Sequence, residues 1–252
     1  MLKNTKRFTK MIFRLCGVDI KRVNPAENNY SWLVKQNITT VLDIGANTGQ
    51  FAKMVHKILP HATIFSFEPI EECYQKLIKN MANVSKFHAF NFGLGDSDDE
   101  MEMHINDFTP SSSLLPMADL HIRAYPFTAK MHGEKVRIRQ LDVVAQELLL
   151  NSNMLVKIDV QGYEDKVIKG GQSVISQAKV LIVETTFQRL YDGQLLWKDI
   201  FDLLSKMGFI YMGNFHQMKS PLEGSVLQAD SIFLKDEVDR DVMTYHNTSG
   251  LS

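Results

Sequence analysis

The chain has 252 residues, of which 44% are hydrophobic and 23% are charged, so it is long enough for one large domain with its own core. Its formal net charge of -1 gives no general attraction to nucleic acid and favours a small-molecule partner. No apolar run reaches about 18 residues, which predicts no membrane-spanning helix, and the isolated Cys16 and Cys73 indicate a reduced, cytoplasmic setting.

Residues 1–37 precede the main domain. Between residues 8 and 15 apolar side chains recur at helical spacing, with lysines and arginines mostly on the other side. Such a basic amphipathic helix has two interpretations: it packs against the domain, or it makes peripheral contact with an anionic membrane surface. A short lead-in helix, residues 30–35, then precedes the predicted domain, residues 38–235.

The domain begins with a strand, a glycine turn and a helix. Residues 41–44 are an apolar run, and from Phe51 apolar residues recur with the period of a helix. Between them lies the pattern Asp43-x-Gly45-x-Asn47-x-Gly49, whose glycines allow a sharp turn and the close approach of a ligand. This arrangement predicts a small-molecule site on the turn.

The residues around this turn indicate which ligand it binds. A dinucleotide fingerprint has a glycine where this chain has Asn47, which disfavours a nicotinamide oxidoreductase. Asp43 at the strand end repels a pyrophosphate but attracts an ammonium or sulfonium group, while a helix N-terminus attracts a carboxylate. After the second strand, Glu68 occupies the position where doubly wound folds bind ribose hydroxyls. The predicted cofactor is S-adenosylmethionine, held by Asp43, Gly45, Asn47, Gly49 and Glu68.

A third strand, residues 87–94, is followed by a turn that ends at Asp96. Its small residues and its carboxylate suit contact with adenine, and a plain turn before a hairpin is the alternative interpretation. Residues 100–141 depart from the strand and helix alternation, so we expect an inserted lid of strands and loop across the mouth of the site. Isolated histidines in such a polar segment are expected at the surface. They are His104, His121 and His132.

Acidic residues stand at strand ends in the second half of the domain. Residues 154–160 form an apolar strand that contains Lys157 and Asp159, and charges there are tolerable where the strand ends at a ligand site. Glu184 ends the next strand, and Asp230 stands just before the last one. We expect all these acids on one rim of the sheet.

The remaining elements of this half follow from local signals. We expect a helix over residues 143–150 with Asp142 as its N-cap, and another helix that stops at Gly208. Two closing strands, residues 209–212 and 231–234, flank a predicted loop, residues 214–225. Residues 236–252 are expected to form a disordered tail. The alternation of strand and helix predicts a doubly wound α/β sheet with an antiparallel edge strand.

These motifs resemble the FkbM-type S-adenosylmethionine-dependent methyltransferases over about residues 38–235. The most specific motif is KIDVQGYE, residues 157–164. The others are VLDIGANTGQF (41–51), FSFEP (65–69), Gly93 to Asp96, Ser112-Ser113-Leu114, Gln140-Leu141-Asp142, Val183-Glu184 and Asp230 to Phe233.

The resemblance implies a class I methyltransferase Rossmann-like fold, with a seven-stranded, mostly parallel sheet. It also implies methylation of hydroxyl oxygens on sugars, such as those of glycans or lipid-linked saccharides, or on secondary metabolites. By this likeness the glycine turn and Glu68 bind the cofactor, and Asp159 and Glu164 line the reaction centre.

Removal of the hydroxyl proton requires a base, for which Asp159 is preferred and Glu164, Glu184 and Asp230 are alternatives. A pair of these acids could instead hold a divalent cation, and the sequence leaves that choice open while assigning no metal ligands. A methyltransferase-like domain that binds a cofactor or partner without catalysis is the competing hypothesis. It predicts damaged motifs, and the motif residues are intact.

Overall fold

The computed structural model describes residues 30–151 and 153–236. Contacts divide the chain into two units, Met1–Trp32 and Leu33–Ser252, and every described strand and α-helix belongs to the second unit. The predicted amphipathic helix with its membrane contact, and nearly all of the predicted tail, lie outside the described residues. The domain bounds at 38 and 235 stay a prediction. Within the described part, no helix is long and apolar enough to cross a membrane.

The main sheet has seven strands, which are β1 (Thr40–Ile44), β2 (Thr63–Phe67), β3 (Phe87–Phe90), β7 (Met154–Ile158), β8 (Val180–Thr186), β9 (Phe209–Lys219) and β10 (Val226–Lys235). Their order across the sheet is β3-β2-β1-β7-β8-β10-β9. Neighbouring strands pair in parallel, except that β10 runs antiparallel to both β8 and β9. The predicted antiparallel strand is thus one place in from the edge. The prediction of a mostly parallel, seven-stranded α/β sheet is confirmed.

Helices connect the strands and place the core around the middle of the sheet. Every residue of β1 and of β7 is buried, as expected for strands covered on both faces. The α-helices are α1 (Gln50–Ile58), α2 (Glu71–Met81), α3 (Asp119–Ala124), α4 (Leu141–Val144), α5 (Glu164–Gly170), α6 (Gln172–Ser176) and α7 (Trp197–Lys206). The 3₁₀ helices are Ser31–Gln36, Thr109–Ser111, Pro126–Thr128 and Ala145–Glu147.

A second, three-stranded sheet carries the inserted segment. It consists of β4 (Gly93–Leu94), β5 (Asp99–Asn106) and β6 (Met131–Arg139), in the order β4-β6-β5. The predicted third strand is therefore divided between two sheets. Asn91 lies where the chain passes from the first sheet to the second, and its side-chain amide donates to the carbonyls of Glu68 and Pro69, both at 3.1 Å. Residues 107–130, between β5 and β6, are called the lid below.

Two local predictions from the second half are wrong. The first half of the predicted loop, residues 214–219, instead extends β9 to 11 residues, and the last closing strand, β10, begins at Val226 rather than at Ser231. The helix predicted over 143–150 is only α4 followed by a 3₁₀ turn. Asp142 does not cap it; instead its carboxylate accepts hydrogen bonds from the backbone N–H groups of Ser173 and Val174, both at 2.9 Å, at the start of α6.

One of the three lid-region histidines is not at the surface. His121 on α3 is buried, with its ring edge-to-face against Tyr191 at 5.2 Å between centroids. Burial lowers the pKa of His121, against a hydrogen bond to the backbone of Leu190. The neutral ring therefore packs the lid against Tyr191.

Candidate active site

The glycine turn at the end of β1 has the strained backbone that its sequence predicts. Gly45, Asn47 and Gly49 have φ angles of +79°, +47° and +88°, in the region that glycine and asparagine tolerate best. A Cβ on Gly45 would lie 1.8 Å from the carbonyl oxygen of Asp159. A side chain does not fit at position 45, because the backbone of the glycine turn lies directly against the backbone of the loop that follows β7.

Glu68 connects the turn to the end of β2. Its Oε2 accepts the backbone N–H of Asn47 at 2.7 Å, and its Oε1 accepts that of Ile70 at 2.9 Å. The carboxylate is 4% exposed, and burial raises the pKa of Glu68 to about 7 despite these two hydrogen bonds. Each oxygen keeps a lone pair for a further donor.

Asp43 lies inside the sheet, with Ser66 of β2 and Lys157 of β7 as its lateral neighbours. Ser66 Oγ donates to Asp43 Oδ2 at 3.2 Å, whereas Oδ1 has no hydrogen-bond partner of normal geometry among the described residues. Burial raises the pKa of Asp43 to about 6, with Lys157 and Ser66 acting in the opposite direction. A buried carboxylate oxygen without a donor is costly, so this site suits a ligand that brings one.

Asp159 is the first residue after β7, and its backbone N–H donates to the carbonyl of Ile44 at 3.0 Å. Its Oδ2 accepts a hydrogen bond from Lys157 Nζ at 2.9 Å, and its Oδ1 accepts one from Gln161 Nε2 at 2.9 Å. Burial alone would raise the pKa of Asp159, but Lys157 and these hydrogen bonds hold it below its usual range. Asp159 is ionised at neutral pH, and its side chain is 29% exposed and so accessible to a substrate.

Glu184 and Asp230 are directly opposite each other across β8 and β10. Glu184 Oε2 accepts Gln161 Nε2 at 2.6 Å and Gln228 Nε2 at 3.0 Å. Burial, with Asp159, Glu164 and Asp230 nearby, raises the pKa of Glu184 well above its usual range. Burial and Asp159 also raise the pKa of Asp230. The predicted clustering of strand-end acids is therefore present.

Glu164 begins α5 and turns its carboxylate back into the preceding loop. Both of its oxygens accept the N–H of Gly162 at 3.1 Å, and Oε1 also accepts that of Val160 at 3.1 Å. Burial raises the pKa of Glu164 to about 7. Its contacts are those of a residue that fixes the loop 160–162, and its direct part in the reaction stays a prediction.

Asp96 has a different environment from the other acids. Its Oδ2 accepts Lys169 Nζ of α5 at 2.8 Å, and this bond lowers the pKa of Asp96. Its carbonyl accepts Gln140 Nε2 at 2.6 Å. These contacts account for Asp96 within the protein, and its role at adenine stays a prediction.

The lid contacts both halves of this site. At its near end, Thr109 Oγ1 accepts Asn47 Nδ2 at 3.3 Å. Further on, Ser113 Oγ donates to the carbonyl of Gln161 at 2.6 Å. The buried Tyr191 hydroxyl lies 2.9 Å from Gln161 Oε1 and 3.2 Å from the carbonyl of Ser111. The lid therefore touches the glycine turn and the acidic cluster together.

Sequence reasoning assigned no role to several of these residues. Lys157 had a usable signal, because a cation in a buried strand needs a partner and Asp159 is two positions away on the same side. Gln161 appeared in the most specific motif. Tyr191 and Gln228 gave no local signal, since each comes from a separate part of the chain.

In the described residues, no group of three or more histidines, cysteines or acids is arranged to hold a metal ion.

Comparisons with known proteins identify the family. The Methyltransferase FkbM domain family matches residues 43–211. The 2-O-methyltransferase NoeI of Sinorhizobium fredii (strain NBRC 101917 / NGR234) is 28% identical over 202 residues, which cover 77% of this chain and 81% of that protein. Methyltransferase 1 of Beauveria bassiana (strain ARSEF 2860) is 28% identical over 142 residues, 52% of this chain and 57% of that protein.

This chain is also similar to solved structures, at low sequence identity. The crystal structure of Methyltransferase FkbM from Methylobacillus flagellatus KT has a TM-score of 0.48 and 13% identity, covering 81% of this chain but only 47% of that one. The resemblance noted from the motifs is confirmed by the family match, which spans more than half of the chain. The protein belongs to the FkbM methyltransferase family.

Proposed function

We propose that the protein transfers a methyl group from S-adenosylmethionine to a hydroxyl oxygen of a sugar or a similar small molecule. The observation that carries this proposal is the contact between the glycine turn and the acidic cluster. Asp159 follows β7 and is hydrogen-bonded through its N–H to Ile44, the residue before Gly45. A group that accepts a proton therefore stands beside the expected cofactor site.

The residues of the turn suit S-adenosylmethionine. Asp43 Oδ1 is buried and has no donor of normal hydrogen-bond geometry in the described part of the chain, and the cofactor carries an ammonium group that could supply one. Glu68 has free lone pairs at the end of β2, where ribose hydroxyls bind in related folds. Asn47 and Gly49 form the turn between them. When bound, the cofactor supplies a methyl group already activated by a sulfonium.

The chain itself contributes orientation and proton removal. Asp159 is ionised and partly exposed, so it can accept the proton of an acceptor hydroxyl as that oxygen becomes nucleophilic. Lys157 fixes one oxygen of Asp159 and Gln161 the other. We assign Glu184 and Asp230 to the same proton-accepting cluster, and Glu164 to positioning of the loop.

Two observations support a hydroxyl acceptor with a ring. The name of the relative NoeI specifies 2-O-methyl transfer. On the lid, Phe108 and Phe127 meet edge to face at 5.7 Å and remain 50% and 63% exposed. Exposed aromatic rings suit the apolar face of a sugar, so we propose that this pair contacts the acceptor.

The variant Asp159→Asn tests the proposal, because it keeps the shape of the side chain and removes its charge. We expect S-adenosylmethionine affinity within a few-fold of wild type, and turnover lower by about a hundredfold or more. Calorimetric titration measures the first. Transfer of radiolabelled methyl to lipid-linked saccharide and glycan fractions measures the second. Asp165→Asn, which removes a carboxylate paired with Lys166 on α5, is the matched control.

The outcomes separate the hypotheses. Full turnover by a folded Asp159→Asn protein contradicts the assignment of the base. Loss of wild-type activity on adding a chelator favours the divalent-cation mechanism, whereas a base mechanism keeps its activity. Cofactor binding without methyl transfer to any fraction favours the non-catalytic hypothesis.

A further inference from the structure

Gln161 is the residue at which the acidic cluster and the lid meet. Its side-chain amide donates one hydrogen to Asp159 Oδ1 at 2.9 Å and the other to Glu184 Oε2 at 2.6 Å. Its amide oxygen faces the Tyr191 hydroxyl at 2.9 Å. The opposite orientation of the amide would place its oxygen against two carboxyl groups, so the contacts determine which atom is nitrogen.

The backbone of Gln161 is held as firmly as its side chain. Its φ angle is +54°, an uncommon conformation for a residue other than glycine. Glu164 fixes the loop on both sides by accepting the N–H groups of Val160 and Gly162. The carbonyl of Gln161 then points to the lid and accepts Ser113 Oγ at 2.6 Å. In this conformation the side chain of Gln161 contacts the two acids while its backbone carbonyl contacts the lid.

We propose that Gln161 is a positioning residue for proton removal, which holds Asp159 and Glu184 in a fixed relation and makes that relation depend on the docked lid. From the lid, the Ser113 hydroxyl donates to the backbone carbonyl of Gln161. The Tyr191 hydroxyl contacts both the carbonyl of Ser111, which is also in the lid, and the side-chain amide oxygen of Gln161. An undocked lid would free the glutamine, and with it the donor that both acids share. This inference rests on the proposed function for its catalytic part alone.

The charges around the two acids give the direction of the effect. The charged and titratable groups that act on Asp159 or Glu184 are Lys157 on β7, Asp43 on β1, Glu68 after β2, Asp230 on β10, Glu164 on α5 and the Tyr191 hydroxyl. A hydrogen bond from Gln161 favours the ionised form of Asp159, so loss of that donor shifts its ionisation to higher pH. A new carboxylate at position 161 adds repulsion and shifts it further.

The test uses Gln161→Ala and Gln161→Glu in the full chain. Turnover should fall about tenfold or more in Gln161→Ala, with S-adenosylmethionine affinity within a few-fold of wild type. The acidic limb of the pH profile of kcat should move to higher pH, further in Gln161→Glu than in Gln161→Ala. Gln188→Ala is the matched control, since that side-chain amide donates to Ser225 in the hairpin.

A second readout needs no acceptor. In Gln161→Ala and in Tyr191→Phe, hydrogen exchange over residues 109–115 of the lid should become several-fold faster, while exchange over β9 stays as in wild type. The inference is overturned if folded Gln161→Ala keeps either the wild-type acidic limb or the wild-type exchange of the lid. If the wild-type protein transfers no methyl group, the proposed function fails, and lid exchange alone decides whether Gln161 holds the lid.

Discussion

Lys157 and Asp159, two positions apart at the end of β7, form an ion pair of 2.9 Å in which the lysine is 10% exposed. The ammonium also lies 5.5 Å from the centre of the Phe51 ring and beside the buried Asp43 in the sheet. Burial would lower the pKa of Lys157, but the carboxylates of Asp159 and Asp43 hold it above its ordinary range. A single cation thus serves the expected cofactor site and the reaction centre together.

Replacing this cation with an apolar side chain of similar length tests its structural role. Lys157→Met leaves the buried Asp43 and the partly buried Asp159 without a counter-charge, so the free energy of unfolding should fall by about 3–5 kcal/mol. The loss should grow with pH, because both carboxyl groups are then forced to ionise in the fold. Urea unfolding at pH 5 and pH 8 measures it. Lys198→Met, which removes an exposed lysine paired with Asp202, should have little effect, and equal losses in the two variants would contradict the prediction.

The stability of the cofactor-free protein should fall as pH rises from about 4.5 to about 7. Burial raises the pKa of Asp43 to about 6 and those of Glu68 and Glu164 to about 7, so the folded protein keeps protons that the unfolded chain releases. The unfolded state binds fewer protons in this window, and each such group reduces stability by up to about 1.4 kcal/mol per pH unit. Above the folded pKa values the curve should level off. Urea unfolding at half-unit intervals of pH checks the sign, and a rise in stability across the window would refute it.

Glu68→Gln tests the cofactor site directly. Loss of the charge should weaken S-adenosylmethionine binding by about 1.5–3 kcal/mol, because charge-assisted hydrogen bonds to the ribose are lost. Calorimetric titration at pH 8, where wild-type Glu68 is ionised, gives the comparison. Glu72→Gln on the exposed face of α2 is the control. Unchanged affinity in folded Glu68→Gln would remove this residue from the binding site.

Gly45→Ala separates backbone strain from steric exclusion. Gly45 and Gly193 share a φ angle of +79°, yet a Cβ at Gly45 would meet the Asp159 carbonyl oxygen at 1.8 Å, whereas one at Gly193 would have nothing within 4 Å. Gly193→Ala should therefore cost about 1–2 kcal/mol from strain alone. Gly45→Ala should cost clearly more, because the two loops must separate. Urea unfolding measures the loss of stability in each variant. Equal losses would contradict the prediction, because they would show that the two loops can separate at little cost.

Local sequence patterns predicted the parts of the fold that depend on neighbouring residues. The buried strands and the glycine turn follow from apolar runs and from residues that tolerate positive φ, as at Gly49. The second half of β9, residues 213–219, was missed because most of its residues are not apolar and it depends on pairing with β10 for its conformation. Asp142 was assigned to the wrong helix because its partners, Ser173 and Val174, are about 30 positions away.

The same limit applied to the candidate site. Glu68 and Asp159 were identifiable because a charge at the end of an apolar strand is informative by itself. The opposition of Glu184 and Asp230 depends on the register of β10 against β8, which no single segment specifies. The contact of Tyr191 with Gln161 likewise requires the folded chain.

The contact between Gly45 and the backbone of Asp159 has a consequence for how acceptor choice can vary. The turn expected to seat the methyl donor and the loop that carries the proposed base are joined backbone to backbone, so their spacing is fixed by the central strands β1 and β7. The lid connects two strands of the other sheet and contacts these two segments through side chains such as Thr109 and Ser113. Replacing the lid with the corresponding segment of another family member should therefore leave the distance between the methyl donor and the proposed base unchanged. The new segment would need a side chain that donates to the carbonyl of Gln161, as Ser113 does.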